Sequence, residues 1–235
     1  MNIIKSVRFS LTWLGFSLAL LGSAQAMAAN GAHEVAYAAA LQRLQVAPDR
    51  LLTEMRRIDA GEVAHFDFLQ HEHIELLRDS KALAFPPTSL PQDKREALST
   101  QAGAVLRLAT DLEWTLADFL RGQAAVNAAV SSTADIVRQA SNDAEPATRS
   151  ALNTLGQKAI AFRQTGDDST LQALFEAYDD VAGLSLHPQY LDELSAQKNL
   201  IRNNVAGIER GLTELRTTQL RPASKHLVEL YGEEG

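Results

Sequence analysis

Six side chains able to bind a metal ion or move a proton crowd the eleven residues from His65 to Glu75: His65, Asp67, His71, Glu72, His73 and Glu75. Asp67, His71 and Glu75 recur at every fourth position, so on a helix they share one face and could share an ion. A di-metal centre in a helical bundle also needs Glu-x-x-His from each of two helices. The chain offers neither that pair nor a His-Glu-x-x-His stretch. The three residues point away from the apolar side of their helix, with Arg78 alongside, as a solvated charged face would. Metal binding at Asp67, His71 and Glu75 is therefore a subordinate expectation, and no cofactor is expected. There is no Gly-x-Ser-x-Gly elbow, no glycine-rich phosphate loop and no cysteine nucleophile. Ser131, Ser132 and Thr133 lie in mid-helix, where hydroxyls bond back to the preceding turn. Trp114 and Phe119 flank Asp118, and core or groove packing is the commoner fate of such aromatics. The expected protein is not an enzyme.

Strong helix formers dominate almost every window, Gly and Pro number only 13 and 7, and β-branched runs are few. The fold class expected is all-α: an elongated antiparallel bundle, in a form that allows two bundles sharing a long central helix. Prolines and their predecessors punctuate it. A short helix over 32–45 is expected to end before Pro48, which opens another to Ala60, where Gly61 kinks or ends it. The next spans 62–84 and stops at Phe85-Pro86-Pro87. From Gln92 the pattern stays helical to about Ser141, some 50 residues and roughly 75 Å if unbroken, with Gly103 and Gly122 as places to bend. Pro146 begins a helix to Gln164, Thr165-Gly166-Asp167-Asp168 forms a capped loop, and helices follow over 169–182, 188–219 and 222–231. The expected organisation is a leader over 1–29 and two bundle halves, 30–142 and 143–235.

Residues placed at about 100° per step show which polar groups interrupt apolar faces. His73 lies near the centre of the face made by Phe66, Leu69, Leu76, Leu77, Leu83 and Ala84, with Ser80 beside it. Gln123 lies in the middle of the face carrying Leu112, Leu116, Phe119, Val126, Val130, Ala134 and Val137, with Asn127 at its edge. Lys198 sits on the margin of the stripe of Leu194, Ile201, Val205, Ile208, Leu212 and Leu215, where its amine reaches solvent. A buried amide or imidazole without a partner costs roughly 1–3 kcal/mol. Two accounts answer for His73, Ser80, Gln123 and Asn127: they satisfy one another and fix helix register, or they line a pocket for a small ligand.

The first 30 residues read as an export signal. Lys5 and Arg8 give a positive start, and Phe9–Leu21 is an apolar run of thirteen residues. Ser23-Ala24-Gln25-Ala26 and Ala26-Met27-Ala28 are small-residue cleavage sites. The run is shorter than the roughly 20 residues that span a bilayer; an uncleaved inner-membrane anchor is the alternative. With 22 basic and 29 acidic residues the formal charge is −7, and losing Lys5 and Arg8 with the leader deepens it to −9. That balance excludes nucleic acid as a partner and disfavours anionic lipid surfaces. Without cysteine the exported protein holds together by burial alone.

Two stretches resemble a known family. Leu51-Leu52-Thr53-Glu54-Met55-Arg56-Arg57-Ile58-Asp59, followed by Phe66 through Arg78, is similar to the N-terminal signature of the DAHL (double all-helical ligand-binding) domain of bacterial extracytoplasmic sensors. The Pro-containing segment Phe85–Leu90 stands where that family ends the helix. Leu116 through Ala124, continuing to Asn127 and Ile136, resembles the family's Phe-Lys-Ser-x-Asn-Ala helix, although Leu120, Arg121 and Gly122 follow Phe119 where the family favours Lys and Ser. The resemblance implies ligand contacts at Arg78, Gln123 and Asn127. The family sits between two membrane helices ahead of a kinase or cyclase output; this sequence reaches Gly235 with neither. It therefore implies signalling through a separate partner, or a soluble carrier. The expectation is a periplasmic, non-catalytic sensory or ligand-binding bundle, with a ligand between the His73 helix and the long helix. Its partner is an unknown small molecule, an envelope protein or a membrane-bound sensor. An envelope scaffold is the alternative.

Overall fold

The computed structural model describes the backbone of residues 4–62 and 66–232, and the side chains of 31–62, 66–142 and 144–232. The leader expected over 1–29 lies outside the residues whose side chains are described. The protein is all-α, with no strand among the described residues. Its helices are α1 (Ile4–Asp59), α2 (Asp67–Leu83), α3 (Gln92–Asp143), α4 (Pro146–Thr165), α5 (Asp168–Ala182), α6 (Pro188–Thr217) and α7 (Leu220–Gly232). Among residues 31–62, 66–142 and 144–232, no helical segment is long and apolar enough to cross a membrane.

Most boundaries follow local chemistry. Pro146 and Pro188 occupy first-turn positions, where a missing N–H costs nothing. Asp167 caps α5 by accepting the Thr170 N–H at 2.8 Å, and His187 caps α6 through Nδ1 at 3.3 Å from the Gln189 N–H. The exception is Pro48. The expected break before it does not occur, and α1 continues through it. The turns on both sides bury Leu44, Ala47, Leu51 and Leu52. That burial outweighs the roughly 3 kcal/mol lost where proline lacks an N–H inside a helix. α3 is likewise unbroken over 52 residues. It runs on through Gly122, where a Cβ would meet the Ile208 side chain at 3.1 Å, so the glycine lets α6 pack close.

The chain divides into two compact units, each gathered from segments distant in sequence. The first takes the described residues up to Val46, then Leu76–Arg107, then those from Arg221. Its core is Tyr37, Leu41 and Leu44 of α1, Leu76 and Leu83 of α2, Leu98, Ala102 and Val105 of α3, and Leu227 of α7. Arg43 grips the buried Asp79 with two parallel bonds of 2.7 and 2.8 Å, the strong bidentate form of a charge-assisted pair. Burial holds the Tyr37 phenol well above its usual range, to about 12.

The second unit comprises Ala47–Glu75 and Leu108–Leu220. Leu51, Leu52, Met55 and Ile58 of α1 and Phe119 of α3 are buried in it, and α5 packs against both α4 and α6. The expected stripes are largely the buried ones: Leu112, Leu116, Phe119, Val126, Val130 and Val137 on α3, and Leu194, Ile201, Ile208 and Leu215 on α6. Thr133 bonds back to the Ala129 carbonyl at 2.8 Å and also meets the Tyr178 hydroxyl. Lys198 departs from expectation. Its side chain is largely covered, paired with Asp179 and set over the Phe175 ring.

Candidate functional site

The second unit owes its one sharp corner to two glycines. α1 ends at Gly61, whose φ of 70° is left-handed, with Gly61 N–H bonded to Ile58 O at 3.0 Å and Glu62 N–H to Arg57 O at 2.9 Å. α4 ends the same way: Gly166 has φ 63° and its N–H bonds Phe162 O at 2.8 Å. Both are glycine-terminated helix ends, where a left-handed residue satisfies the last carbonyls. Here the two ends also abut. A Cβ on Gly61 would lie 2.6 Å from Arg163 O, and one on Gly166 only 2.0 Å from Asp59 O. No side chain fits between the helix ends.

Beside this corner lies a cavity of about 650 Å³, within the range of small-ligand sites. Ile58 and Asp59 of α1 line it, with Gln123, Val126, Asn127 and Val130 of α3. Phe162, Arg163 and Gln164 of α4, Asp168 and Leu171 of α5, and Val205, Ile208 and Glu209 of α6 complete the wall. Gln123 is only 5% exposed and donates from Nε2 to Asp59 Oδ1 at 2.9 Å. A carboxylate only accepts, which fixes the amide with its nitrogen toward Asp59. Its Oε1 makes no hydrogen bond to any described residue. The Asp59 carboxyl is pushed up from the usual aspartate value, first by burial and also by the negative charges of Glu209 and Asp168, while the Gln123 amide pulls it back.

No protein-family model, curated protein or solved structure matches this chain. What the cavity does must therefore be argued from its own residues.

His73 occupies a different place. It is 8% exposed, and its Nε2 lies 2.9 Å from Ala109 O. A carbonyl only accepts, so Nε2 carries the hydrogen. The groove beside it, about 260 Å³, is lined by Leu69, Gln70, His73, Ile74, Glu113, Leu116, Ala117 and Leu120. The single cleft expected to hold His73, Gln123 and Asn127 does not form. His73 meets α3 at Ala109, and Gln123 comes 14 residues later, roughly 21 Å along the axis at 1.5 Å per residue. Asn127 stays with Gln123, exposed on the cavity rim. Ser80 and Arg78 belong to the first unit. Ser80 is fully buried and bonds back to Leu76 O at 2.7 Å, while Arg78 is exposed beside Asp79. Neither lines the Gln123 cavity.

On the charged stripe, Asp67 and His71 are exposed and Glu75 half-buried. Among the described residues no three His, Asp or Glu side chains lie together as a metal site requires. Trp114 is 75% exposed, whereas Phe119 is fully buried.

Inward faces alone do not reveal Asp59, Asp168, Glu209 or the two glycines. A signal for Asp59 does exist in the sequence: it is an acid in the last turn of a helix, where the negative end of the dipole opposes its charge. Such a position asks for a compensating partner.

Proposed function

We propose that the protein is a periplasmic, non-catalytic helical ligand-binding or sensory protein acting with a separate partner, and that its site is the Gln123 cavity. The observation that carries this is a cavity of small-molecule size lined by the buried Gln123, whose amide nitrogen is tied to Asp59 and whose oxygen accepts from no described residue. The export signal and the likeness to extracytoplasmic sensor domains support a role outside the cytosol, with the partner an envelope or membrane-bound sensor protein. One observation favours the scaffold alternative. Phe68, Ile74 and Trp114 present apolar surface to solvent near the His73 groove, and exposed aromatics of this kind anchor protein interfaces.

A thermal-shift screen of the full chain against small metabolites separates the two. A bound molecule should raise the unfolding midpoint in step with the logarithm of its concentration, the fold gaining about 2.7 kcal/mol at a hundred times the Kd, and Gln123→Leu should abolish the rise. If no small molecule shifts the midpoint, or Gln123→Leu responds like the parent protein, the cavity reading fails and the scaffold reading replaces it.

A further inference from the structure

Resting on the reading of the Gln123 cavity as a ligand site, we infer that its ligand is an organic ammonium ion: a protonated amine carried on an apolar carbon segment. Four ionisable residues line the cavity. Asp59, Asp168 and Glu209 face Arg163 alone, a formal surplus of two negative charges. The backbone adds to this sign. The C-terminal ends of α1 and α4 both border the space, at Asp59 to Gly61 and at Arg163 to Gly166, and each brings the negative end of its helix dipole. The opposing positive end, at α5, is already answered. Asp167 caps it, and the Thr170 N–H and the Ser169 hydroxyl draw the Asp167 carboxyl down to about 2.

The buried Gln123 then supplies what a cation needs. Its Oε1 is a hydrogen-bond acceptor that takes no hydrogen bond from the described residues. An anion would meet three carboxylates and two helix ends of its own sign. A bare metal ion suits the space poorly for two reasons. The carboxylates are not gathered into a metal-holding group, and about 650 Å³ far exceeds an ion with its ligands. Part of the wall is apolar, made by Val126, Val130, Phe162, Leu171, Val205 and Ile208, which would cover a hydrocarbon segment. Charge at one end and carbon along the rest describe an alkylamine or a diamine.

Isothermal titration of the full chain with four matched probes tests this: n-butylamine, 1,4-diaminobutane, butyrate and 1-butanol, with calcium chloride as a fifth. The amines should bind saturably, the acid, the alcohol and calcium should not, and added salt should weaken the amines. Asp59→Asn should weaken amine binding at least about tenfold, the loss expected for one charge-assisted bond. Glu209→Gln, at an exposed position where folding is not at stake, should weaken it by a smaller factor. If butyrate or butanol binds as tightly as the amines, or calcium alone binds, the ammonium inference is wrong while the cavity reading survives. Amine binding untouched by both substitutions overturns the inference in the same way. If no probe binds here and the metabolite screen is also silent, both readings fall together.

Discussion

His73 and Gln123 are two buried polar side chains on apolar helix faces of the second unit, and the regions around them have opposite characters. At His73 the Nε2–H is answered by Ala109 O. The ring joins α2 to α3, and the neighbouring groove is small and mostly apolar. Beside Gln123 two helices, α1 and α4, end on left-handed glycines while α3 runs on, and the amide nitrogen is held by Asp59. The lesson is that burial of a polar group does not by itself mark a site. What matters is its setting: a mostly apolar groove at His73, and at Gln123 a larger cavity also lined by Asp59, Arg163, Asp168 and Glu209.

The sharpest way to break this contrast is at the corner that only the Gln123 region has. Gly166→Ala must place a Cβ 2.0 Å from Asp59 O in a left-handed conformation. The conformation alone costs about 1–2 kcal/mol, and the clash forces the two helix ends apart. A loss of at least about 2 kcal/mol in urea unfolding is expected. Gly207→Ala, on α6 with nothing within 4 Å of the added Cβ, should instead gain about 0.5–1 kcal/mol. Equal effects from the two substitutions would mean that the helix ends do not abut as described.

A smaller effect sharpens the comparison directly. Gln123→Leu deprives Asp59 of its amide donor. A bond to a charged group contributes about 1.5–3 kcal/mol when buried, and the partial exposure of Asp59 reduces this to about 1 kcal/mol. His73→Leu should cost no more than about 1 kcal/mol, because Ala109 O keeps its helical hydrogen bond and the leucine adds apolar burial. The decisive difference is in binding: Gln123→Leu should lose ligand-induced stabilisation and His73→Leu should retain it in full. Loss in both would return His73 to the site.

Much of this was legible from residue spacing. The stripes of α3 and α6, the starts at Pro146 and Pro188, the stop before Phe85-Pro86-Pro87 and the burial of His73, Ser80 and Gln123 all follow from period and punctuation. Two kinds of information were not. Pro48 reads locally as a helix start, and only the burial around it carries α1 through. The cavity is made where Asp59 meets Gly166 and Gln123, residues more than 60 positions apart, and no local pattern brings such positions together. Inward faces gave the amide, while the carboxylates came from helix ends, which amphipathic periodicity does not rank.

The finest test uses the Asp59 carboxyl, whose folded value is raised above 3.8 by burial and by Glu209 and Asp168. A raised acid binds its proton more readily in the folded state. Its contribution to stability is therefore complete below 3.8 and is lost as pH rises through the folded value. Asp59→Asn cannot ionise. Its unfolding midpoint should match that of the parent protein in acid and exceed it at neutral pH, the gap opening across the mildly acidic range. Parallel curves would show that the charge on Asp59 is not opposed by its surroundings. The same substitution should erase amine binding, and the opposite signs carry the argument. A carboxylate that only braces a fold loses stability when neutralised, whereas one held against burial, like charges and a helix end gains stability and loses its ligand.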